Sequence, residues 1–208
     1  MTQIMTPSKT TTDGQIVKAI SNYRALLEKH AKEFGAEAVQ AVLGQSEFAD
    51  EVLAIFRRRV EAISNLIIVP AVVVDCGRSP QQALEATGRV QYVDRKVVEN
   101  IPKAPAALAE IVFFKPDLSK RNGHISDDDL EKEYALRGLE PVDPISLAAL
   151  NEAAPAFADE TPHGTHWKDA DDKWCFATFD HWDGKRSVRV NRNDDGWNGH
   201  WWFAGVRK

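Results

Sequence analysis

The stretch WCFATFDHWDGKRSVRVNR, Trp174–Arg192, decides the fold of the C-terminal part of this chain. Aromatic and apolar side chains alternate with other residues on either side of Asp183-Gly184, and a period of two residues is typical of a β-strand. An Asp-Gly pair between two such runs favours a two-residue turn, because both turn positions need a positive φ. We therefore predict a β-hairpin here.

The aromatic character continues to the end of the chain. Asn193–Gly199 is rich in turn residues, and HWWFAGV at 200–206 predicts a third strand, so we expect residues 163–208 to form a Trp-rich antiparallel β-meander. All six tryptophans lie in the last 42 residues: Trp167, Trp174, Trp182, Trp197, Trp201 and Trp202. A small sheet needs large apolar side chains, so core packing accounts for much of this crowding.

The N-terminal part has a helical period instead. Apolar residues recur at three- and four-residue steps from Ile16 to Phe34 and from Phe48 to Ile63, with a short helix predicted over Ala36–Leu43 between them. The short connection predicts an antiparallel, coiled-coil-like helical hairpin over residues 13–64. Such a hairpin cannot bury both of its apolar stripes unless it docks or dimerises. Residues 1–12 are predicted to be a flexible N-terminus.

Residues 65–162 have a mixed pattern. Leu66–Asp75 is a nearly continuous apolar run that predicts a buried strand, although Pro70 indicates an edge position, a bulge or two short strands. A second strand is predicted at Glu110–Phe114. Helix starts are predicted at Pro80, after Asp94, after Ser126 and at Pro144, and 153–162 is expected to be extended. The fold class is therefore α+β.

Composition and charge exclude several classes of protein. The chain has 208 residues, 43% of them hydrophobic, which is enough for a core and excludes a wholly disordered chain. No apolar run is long enough to span a bilayer, and Met1–Gly14 lacks the apolar core of a signal peptide. Two cysteines make no disulfide framework, so we expect a cytoplasmic protein without membrane contact.

The charge is uneven along the chain. Residues 116–162 carry a net charge of −7, whereas 1–115 and 163–208 each carry +1, giving −5 in total. Non-specific nucleic-acid binding depends on clustered Lys and Arg, so a pI of about 5.7 disfavours it, although a local basic face stays open.

Several stretches between residues 65 and 208 resemble a known family. They are SPQQALEATGR (79–89), VFFKPD (112–117), DLEKEYALRGLEPVDP (129–144), AFADETPHGTHWKD (156–169) and HWWFAGVRK (200–208). Their amino-acid sequences resemble those of a family of uncharacterised bacterial proteins from candidate-phylum bacteria with reduced genomes. The resemblance implies a bacterial, intracellular origin and implies no activity and no site residues.

A metal site is the first candidate for chemistry. His163 and His166, with a carboxylate such as Asp169, could hold zinc, since neutral imidazoles suit that ion. Cys175 and His181 share a strand face but lie about 20 Å apart at roughly 3.3 Å per residue, too far for one ion. The simpler interpretation is that both histidines belong to a loop or to the sheet surface.

A second candidate is the segment Cys76-Gly77-Arg78-Ser79-Pro80, where a strand end leads into a helix start. Such a junction can bind an anion or activate a thiol, which indicates Cys76, Arg78 and Ser79. Neither a P-loop pattern nor the arginine spacing of cysteine phosphatases is present. A small buried cysteine at a strand end is the simpler interpretation.

The third candidate is a ligand-binding face of the aromatic sheet, formed by Trp197, His200, Trp201, Trp202 and Arg189. Aromatic and basic side chains together could contact a protein, a ligand or single-stranded nucleic acid. The same aromatics could instead fill the core.

These observations favour a non-enzymatic interaction protein that binds a protein partner or a second copy. Its helical hairpin would serve oligomerisation or docking and its aromatic sheet would be the binding surface. The alternative is a small metal-dependent hydrolase or other enzyme using His163, His166 or Cys76. A nucleic-acid accessory protein is the third possibility. No catalytic residue is assigned, and zinc is the only cofactor that the pattern suggests.

Overall fold

The structure is a computed structural model that describes residues 3–4, 11–118 and 121–208. The chain divides into two compact units, and each is described by itself. The helical unit lies within residues 6–64, and the sheet unit contains the strand at Gln3–Ile4 together with the chain from Asn65 onward. Most of the N-terminus that we predicted to be flexible lies outside the described residues.

The helical unit contains α1 (Asp13–His30), a single 3₁₀ turn (Ala31–Glu33), α2 (Ala36–Leu43) and α3 (Glu47–Ser64). Thr12 begins α1 because its hydroxyl accepts a hydrogen bond from the Gln15 amide while the Gln15 side chain accepts one from the Thr12 amide. The predicted helices are confirmed. Their packing as an antiparallel hairpin is not, since α1 has no buried residue and α3 buries only Ala62.

The sheet unit is built around one mixed sheet. Its strands run in the order β1-β2-β4-β11-β7-β8-β9-β3, with β6 beside β11, and β5 and β10 form a separate pair. The strands are β1 (Gln3–Ile4), β2 (Ile67–Val73), β3 (Val90–Val93), β4 (Leu108–Phe114), β5 (His124–Ile125), β6 (Leu139–Pro141), β7 (His163–Lys168), β8 (Trp174–Trp182), β9 (Lys185–Arg192), β10 (Trp197–Asn198) and β11 (Trp202–Arg207). The α+β class is thereby confirmed.

The predicted hairpin is present. Strands β8 and β9 pair antiparallel from Cys175 opposite Arg192 to Trp182 opposite Lys185, and Asp183 and Gly184 both have positive φ. Strand β7 extends this hairpin into an antiparallel meander. The last strand differs from our expectation: β11 does not continue the meander beside β9 but lies parallel to β7 and antiparallel to β4.

The reason lies in the connection between β9 and β11. After β9 the chain forms β10, which pairs with β5, and Trp197 enters the core there. The chain therefore passes over one face of the sheet before it pairs on the far side of β7, where Phe203 and Ala204 are fully buried. Burial of these residues is favoured over a place at the sheet edge.

Strand β2 contains the irregularity that Pro70 predicted. Its register with β4 shifts between Val69 and Val72, and Ala71 has a φ of 60°. Residues 153–162, expected to be extended, instead include a short helix, α8 (Phe157–Glu160). The other helices of the unit are α4 (Pro80–Ala86), α5 (Arg95–Glu99), α6 (Asp127–Arg137) and α7 (Pro144–Ala153), at or near the predicted positions.

Helices cover the sheet on both faces. On the first face, residues of α4, α5, α7 and α8 form one core with Ile111 and Phe113 of β4. On the second face, α6 packs with Val112 and Phe114 of the same strand. The Tyr134 hydroxyl of α6 donates a hydrogen bond of 2.9 Å to the Ala204 carbonyl, which holds α6 over β11. These two faces determine where every candidate site residue points.

Candidate functional site

The helical unit exposes most of its apolar side chains. Fifteen large apolar residues are exposed among residues 11–64, against five among the described residues from 65 onward. We call these fifteen the apolar stripes; they are Ile16, Val17, Ile20, Tyr23, Leu26, Leu27, Phe34, Val39, Val42, Leu43, Leu53, Ile55, Phe56, Val60 and Ile63. Large exposed apolar surfaces are typical of interaction sites.

Helix α1 shows why this exposure matters. It has 18 residues and buries none of them. Isolated helices of about 12–15 residues are marginal in water, because helices in proteins are stabilised mainly by packing of an apolar face. A surface that covers the apolar stripes would therefore stabilise the helices as well as bind them.

The tryptophans predicted to form one binding face are separated by the sheet. Trp197 is 4% exposed; its indole N–H donates to Asp127 Oδ1 at 2.7 Å, and its ring packs edge-on against Phe203. Trp201 packs on the second face beside Trp197, whereas Trp202 packs on the first face. The structure therefore brings Trp197 and Trp201 together and places Trp202 away from them.

His200 and Arg189 lie at the solvent edge of the second face. The His200 ring is 4.3 Å from the Trp201 ring between centroids. Partial burial is the largest cause that lowers the pKa of His200, and the positive charges of Lys115 and Arg189 lower it further. The negative charge of Asp180 raises it but does not cancel these effects. Arg189 is held by an ion pair with the buried Asp180 carboxylate, which also accepts a hydrogen bond from Ser187. Its guanidinium is thus already paired within the chain.

His163 lies in the core of the first face. Both ring nitrogens have partners: Nδ1 is 2.7 Å from the Thr161 carbonyl, and Nε2 is 2.9 Å from the Asn151 side-chain nitrogen. Complete burial lowers the pKa of His163 to about 3, against a weaker opposing effect of the Thr161 carbonyl. The imidazole is therefore neutral, with Nδ1 donating to Thr161 and Nε2 accepting from Asn151.

His166 lies on the opposite face, three residues further along β7, so the two histidines do not converge on one point. Its Nδ1 is 2.7 Å from Asp127 Oδ1 and its Nε2 is 2.9 Å from Glu131 Oε1. Burial alone lowers the pKa of this imidazole. Hydrogen bonding to the two carboxylates and their negative charges outweigh burial, so the pKa of His166 lies above its ordinary value.

Asp127 is the residue that the sequence analysis missed. It lies in the acidic first turn of α6, and its buried carboxylate joins three separate segments. Besides His166 and Trp197, it accepts a hydrogen bond of 2.8 Å from the Asn193 side chain. The tryptophan at 174 stacks on the His166 ring at 4.6 Å. These partners are 39 to 70 residues away in sequence, so no local pattern could have indicated them.

Cys76, Arg78 and Ser79 lie near a shallow depression of about 660 Å³ that is lined in part by Asp75, Arg78 and Glu85. Cys76 is exposed, so our interpretation of it as a buried cysteine is wrong, and Ser79 is occupied as the capping residue of α4. The Arg78 guanidinium pairs with Glu152 at 2.5 Å and with Asp75 at 3.3 Å. An anion entering here would meet an arginine already neutralised by two carboxylates.

Within residues 3–4, 11–118 and 121–208, no group of three or more His, Cys, Asp or Glu side chains is arranged to hold a metal ion. In the same part of the chain, none of the helices combines the length and apolar character needed to cross a bilayer.

Comparisons with protein-family models, with curated proteins and with solved structures found no match to this chain. The resemblance of residues 65–208 to a bacterial family therefore stays a prediction.

Proposed function

We propose that this protein is a non-enzymatic interaction protein that docks on another protein surface through its helical unit. The observation that carries the proposal is the concentration of exposed apolar side chains in residues 11–64, where fourteen of the fifteen large ones lie in the three α-helices and Phe34 lies between α1 and α2. Burial of a large apolar side chain contributes about 1.5–3 kcal/mol, so covering even a few of them supports association.

The sheet unit supplies a smaller contact surface in this proposal. Trp201, His200 and Arg189 lie together at the edge of the second face, while Trp197 supports them from the core. Because Arg189 is paired with Asp180, we assign this surface to shape and aromatic contact with a protein rather than to phosphate binding.

A photo-cross-linking experiment tests the proposal. A benzophenone side chain replaces either Ile20, on an apolar stripe, or Lys29, which is nine residues further along α1 and hence half a turn away. The full chain is expressed in bacterial cells and irradiated. We expect a covalent adduct with a protein from position 20 and none from position 29.

Two results would contradict the proposal. One is the absence of any adduct from position 20, and the other is equal labelling from both positions, since the polar side of α1 has no role in docking. The identity of the captured protein, which includes a second copy of this chain, is read from the adduct mass.

A further inference from the structure

We propose that Glu131 and His166 form a proton-operated latch on the second face of the sheet. The Glu131 side chain closes over the His166 ring while that ring is protonated, and it turns to solvent once Nε2 has lost its proton. The latch consists of the imidazole, the two carboxylates that contact it and the two aromatic rings that pack on it. It belongs to the sheet unit, so it does not depend on the proposed function of the helical unit.

Each nitrogen of the His166 ring lies next to a carboxylate oxygen of α6. Nδ1 is 2.7 Å from Asp127 Oδ1, and Nε2 is 2.9 Å from Glu131 Oε1. Ionised carboxylates only accept hydrogen bonds, and only a protonated imidazole carries an N–H on both of its nitrogens. A neutral ring would turn the lone pair of one nitrogen towards a negatively charged oxygen. The closed arrangement therefore fits the protonated ring alone.

The two carboxylates are held to different degrees. The Asp127 side chain is 5% exposed, and it also accepts hydrogen bonds from the Trp197 indole and from the Asn193 side chain. The Glu131 side chain is 45% exposed, and among the described residues only His166 pairs with it. Nδ1 therefore keeps its proton, and Glu131 is the side chain that moves when Nε2 loses its own.

Aromatic rings cover the rest of the imidazole. The Trp174 ring stacks on it at 4.6 Å between centroids, and the Tyr134 ring stacks on it at 5.6 Å. The His166 side chain is 0% exposed in the closed arrangement. Since Glu131 is the group in contact with Nε2, its departure uncovers that nitrogen while both aromatic rings stay in place. The open latch then presents a neutral imidazole whose Nε2 accepts a proton or a hydrogen bond from outside the chain.

Charged groups also face the latch across the Trp174 ring. Lys168 Nζ lies 5.0 Å from the centroid of that ring, and its hydrogen bond with Asp172 raises the pKa of Lys168, so it stays charged at neutral pH. The Asp128 carboxylate accepts a hydrogen bond of 3.2 Å from the Trp174 indole. These charges have opposite signs and contact the tryptophan, so the direct partners of the imidazole remain the two carboxylates described above.

The remaining titratable groups act on Glu131 or stay neutral. Contact with His166 is the largest cause that lowers the pKa of Glu131, and the positive charge of Lys208 lowers it further, so this carboxylate is ionised at neutral pH. Burial raises the pKa of Tyr134 well above its ordinary value, so the phenol keeps its proton. Burial lowers the pKa of His166, but the two carboxylates outweigh burial, so the latch is closed at pH 6.5 and opens at a higher pH.

Nuclear magnetic resonance of the His166 imidazole tests the protonation step on the full chain. The signals are followed from about pH 5 to about pH 10. We expect a midpoint above pH 6.5 for the unmodified chain. Glu131→Gln keeps the size of the side chain but removes its charge, so the proton affinity of His166 should fall by about tenfold or more. Glu99→Gln is the matched control, because it alters an exposed glutamate of α5 and should leave the midpoint unchanged.

Carbethoxylation by diethyl pyrocarbonate, read by mass spectrometry of peptides, tests the movement. The reagent modifies neutral imidazoles that it can reach. Modification of His166 is expected to become about tenfold faster or more between one pH unit below and one unit above its midpoint. His163 is the internal control, because its pKa of about 3 leaves it neutral while complete burial protects it. It should stay unmodified throughout, which shows that the sheet unit remains folded.

Four results would overturn the latch. In the first, His166 keeps one protonation state from about pH 5 to about pH 10, and in the second, Glu131→Gln leaves its midpoint unchanged. In the third, His166 stays unmodified above its midpoint, so the ring loses its proton without opening. In the fourth, His163 is modified together with His166, which assigns the exposure to unfolding of the sheet unit.

Discussion

Phenylalanine side chains occupy opposite environments in the two units. In the sheet unit, Phe113 and Phe203 are fully buried, whereas Phe34 and Phe56 of the helical unit are 49% and 51% exposed. The sheet unit therefore buries its apolar residues within one chain, and buried polar residues such as Asp127 and His166 are paired with one another. The helical unit has the same kinds of residue, but Ala62 is the only buried one among residues 11–64.

The largest effect should follow from removing one of these rings. Phe203→Ala empties space in the core and is expected to lower the free energy of unfolding of the sheet unit by about 3–5 kcal/mol. Phe56→Ala should change it by less than about 0.5 kcal/mol and should weaken association instead. Urea unfolding followed by tryptophan fluorescence measures this, because all six tryptophans lie in the sheet unit. Similar losses of unfolding free energy in both variants would contradict the difference that we describe between the two units.

Asp127→Asn tests the buried polar network. The substitution keeps the size of the side chain but removes the negative charge that faces His166. It also replaces one accepting oxygen with an NH2 group, which cannot accept the hydrogen bonds that Asn193 and Trp197 donate to Asp127. We expect a loss of about 2–4 kcal/mol in the free energy of unfolding.

The pH dependence of that loss identifies its cause. Because the folded-state pKa of His166 is raised, its stabilising contribution is complete below about pH 6.5 and disappears as the pH rises through the raised pKa. The destabilisation by Asp127→Asn should therefore shrink on the alkaline side of this range. A loss that does not change with pH would assign Asp127 a role in packing only.

His163 should make the sheet unit sensitive to acid. Its folded-state pKa is lowered to about 3, so the folded chain holds the neutral form and its stabilising contribution is complete above about pH 6.5. Below that pH the unfolded chain binds the proton first, at a cost of about 1.4 kcal/mol per pH unit, or roughly 2 kcal/mol at pH 5. His163→Gln removes the titrating group. Urea unfolding at several pH values gives the slope of the free energy of unfolding against pH for the variant and for the unmodified chain. The difference between the two slopes separates the effect of His163 from that of the carboxylates.

Replacing a glycine by alanine should destabilise the sheet unit at one position and stabilise the helical unit at another. A Cβ at Gly164 would lie 2.8 Å from Thr178 Cγ2 and 2.9 Å from the Ala177 carbonyl oxygen, so Gly164→Ala is expected to destabilise the sheet unit by about 1–3 kcal/mol. At Gly14 the nearest atom is 4.0 Å away, and alanine should stabilise α1 by about 0.5–1 kcal/mol. Tryptophan fluorescence measures the change in stability of the sheet unit, and circular dichroism measures the change in helix stability. Stabilisation by both substitutions, or destabilisation by both, would contradict this expectation.

Elements that depend on neighbouring residues were predicted well from the sequence. The Asp183-Gly184 hairpin, the helix Glu47–Ser64 and the capping residue Ser126 all occur where the pattern indicated them. Turn geometry, apolar periodicity and capping each involve residues within a few positions, and their energetics do not need the rest of the chain.

The candidate site was less predictable. Amphipathic α3 was visible in the sequence, but the pattern alone could not tell whether its stripe would be covered within the chain. Likewise, Trp197 and Trp202 belong to one aromatic segment, yet one is in the core of the second face and the other packs on the first face.

The amino-acid pattern thus established which segments are helices, which alternate as strands, and where amphipathic faces occur. Packing in three dimensions selected the neighbours of β11, the burial of Trp197 and the contacts of Asp127 with residues far along the chain. The physical reason is that any extended segment can complete the backbone hydrogen bonds of another. The choice among them therefore depends on which arrangement buries the most apolar surface while it leaves few buried polar groups without a hydrogen bond.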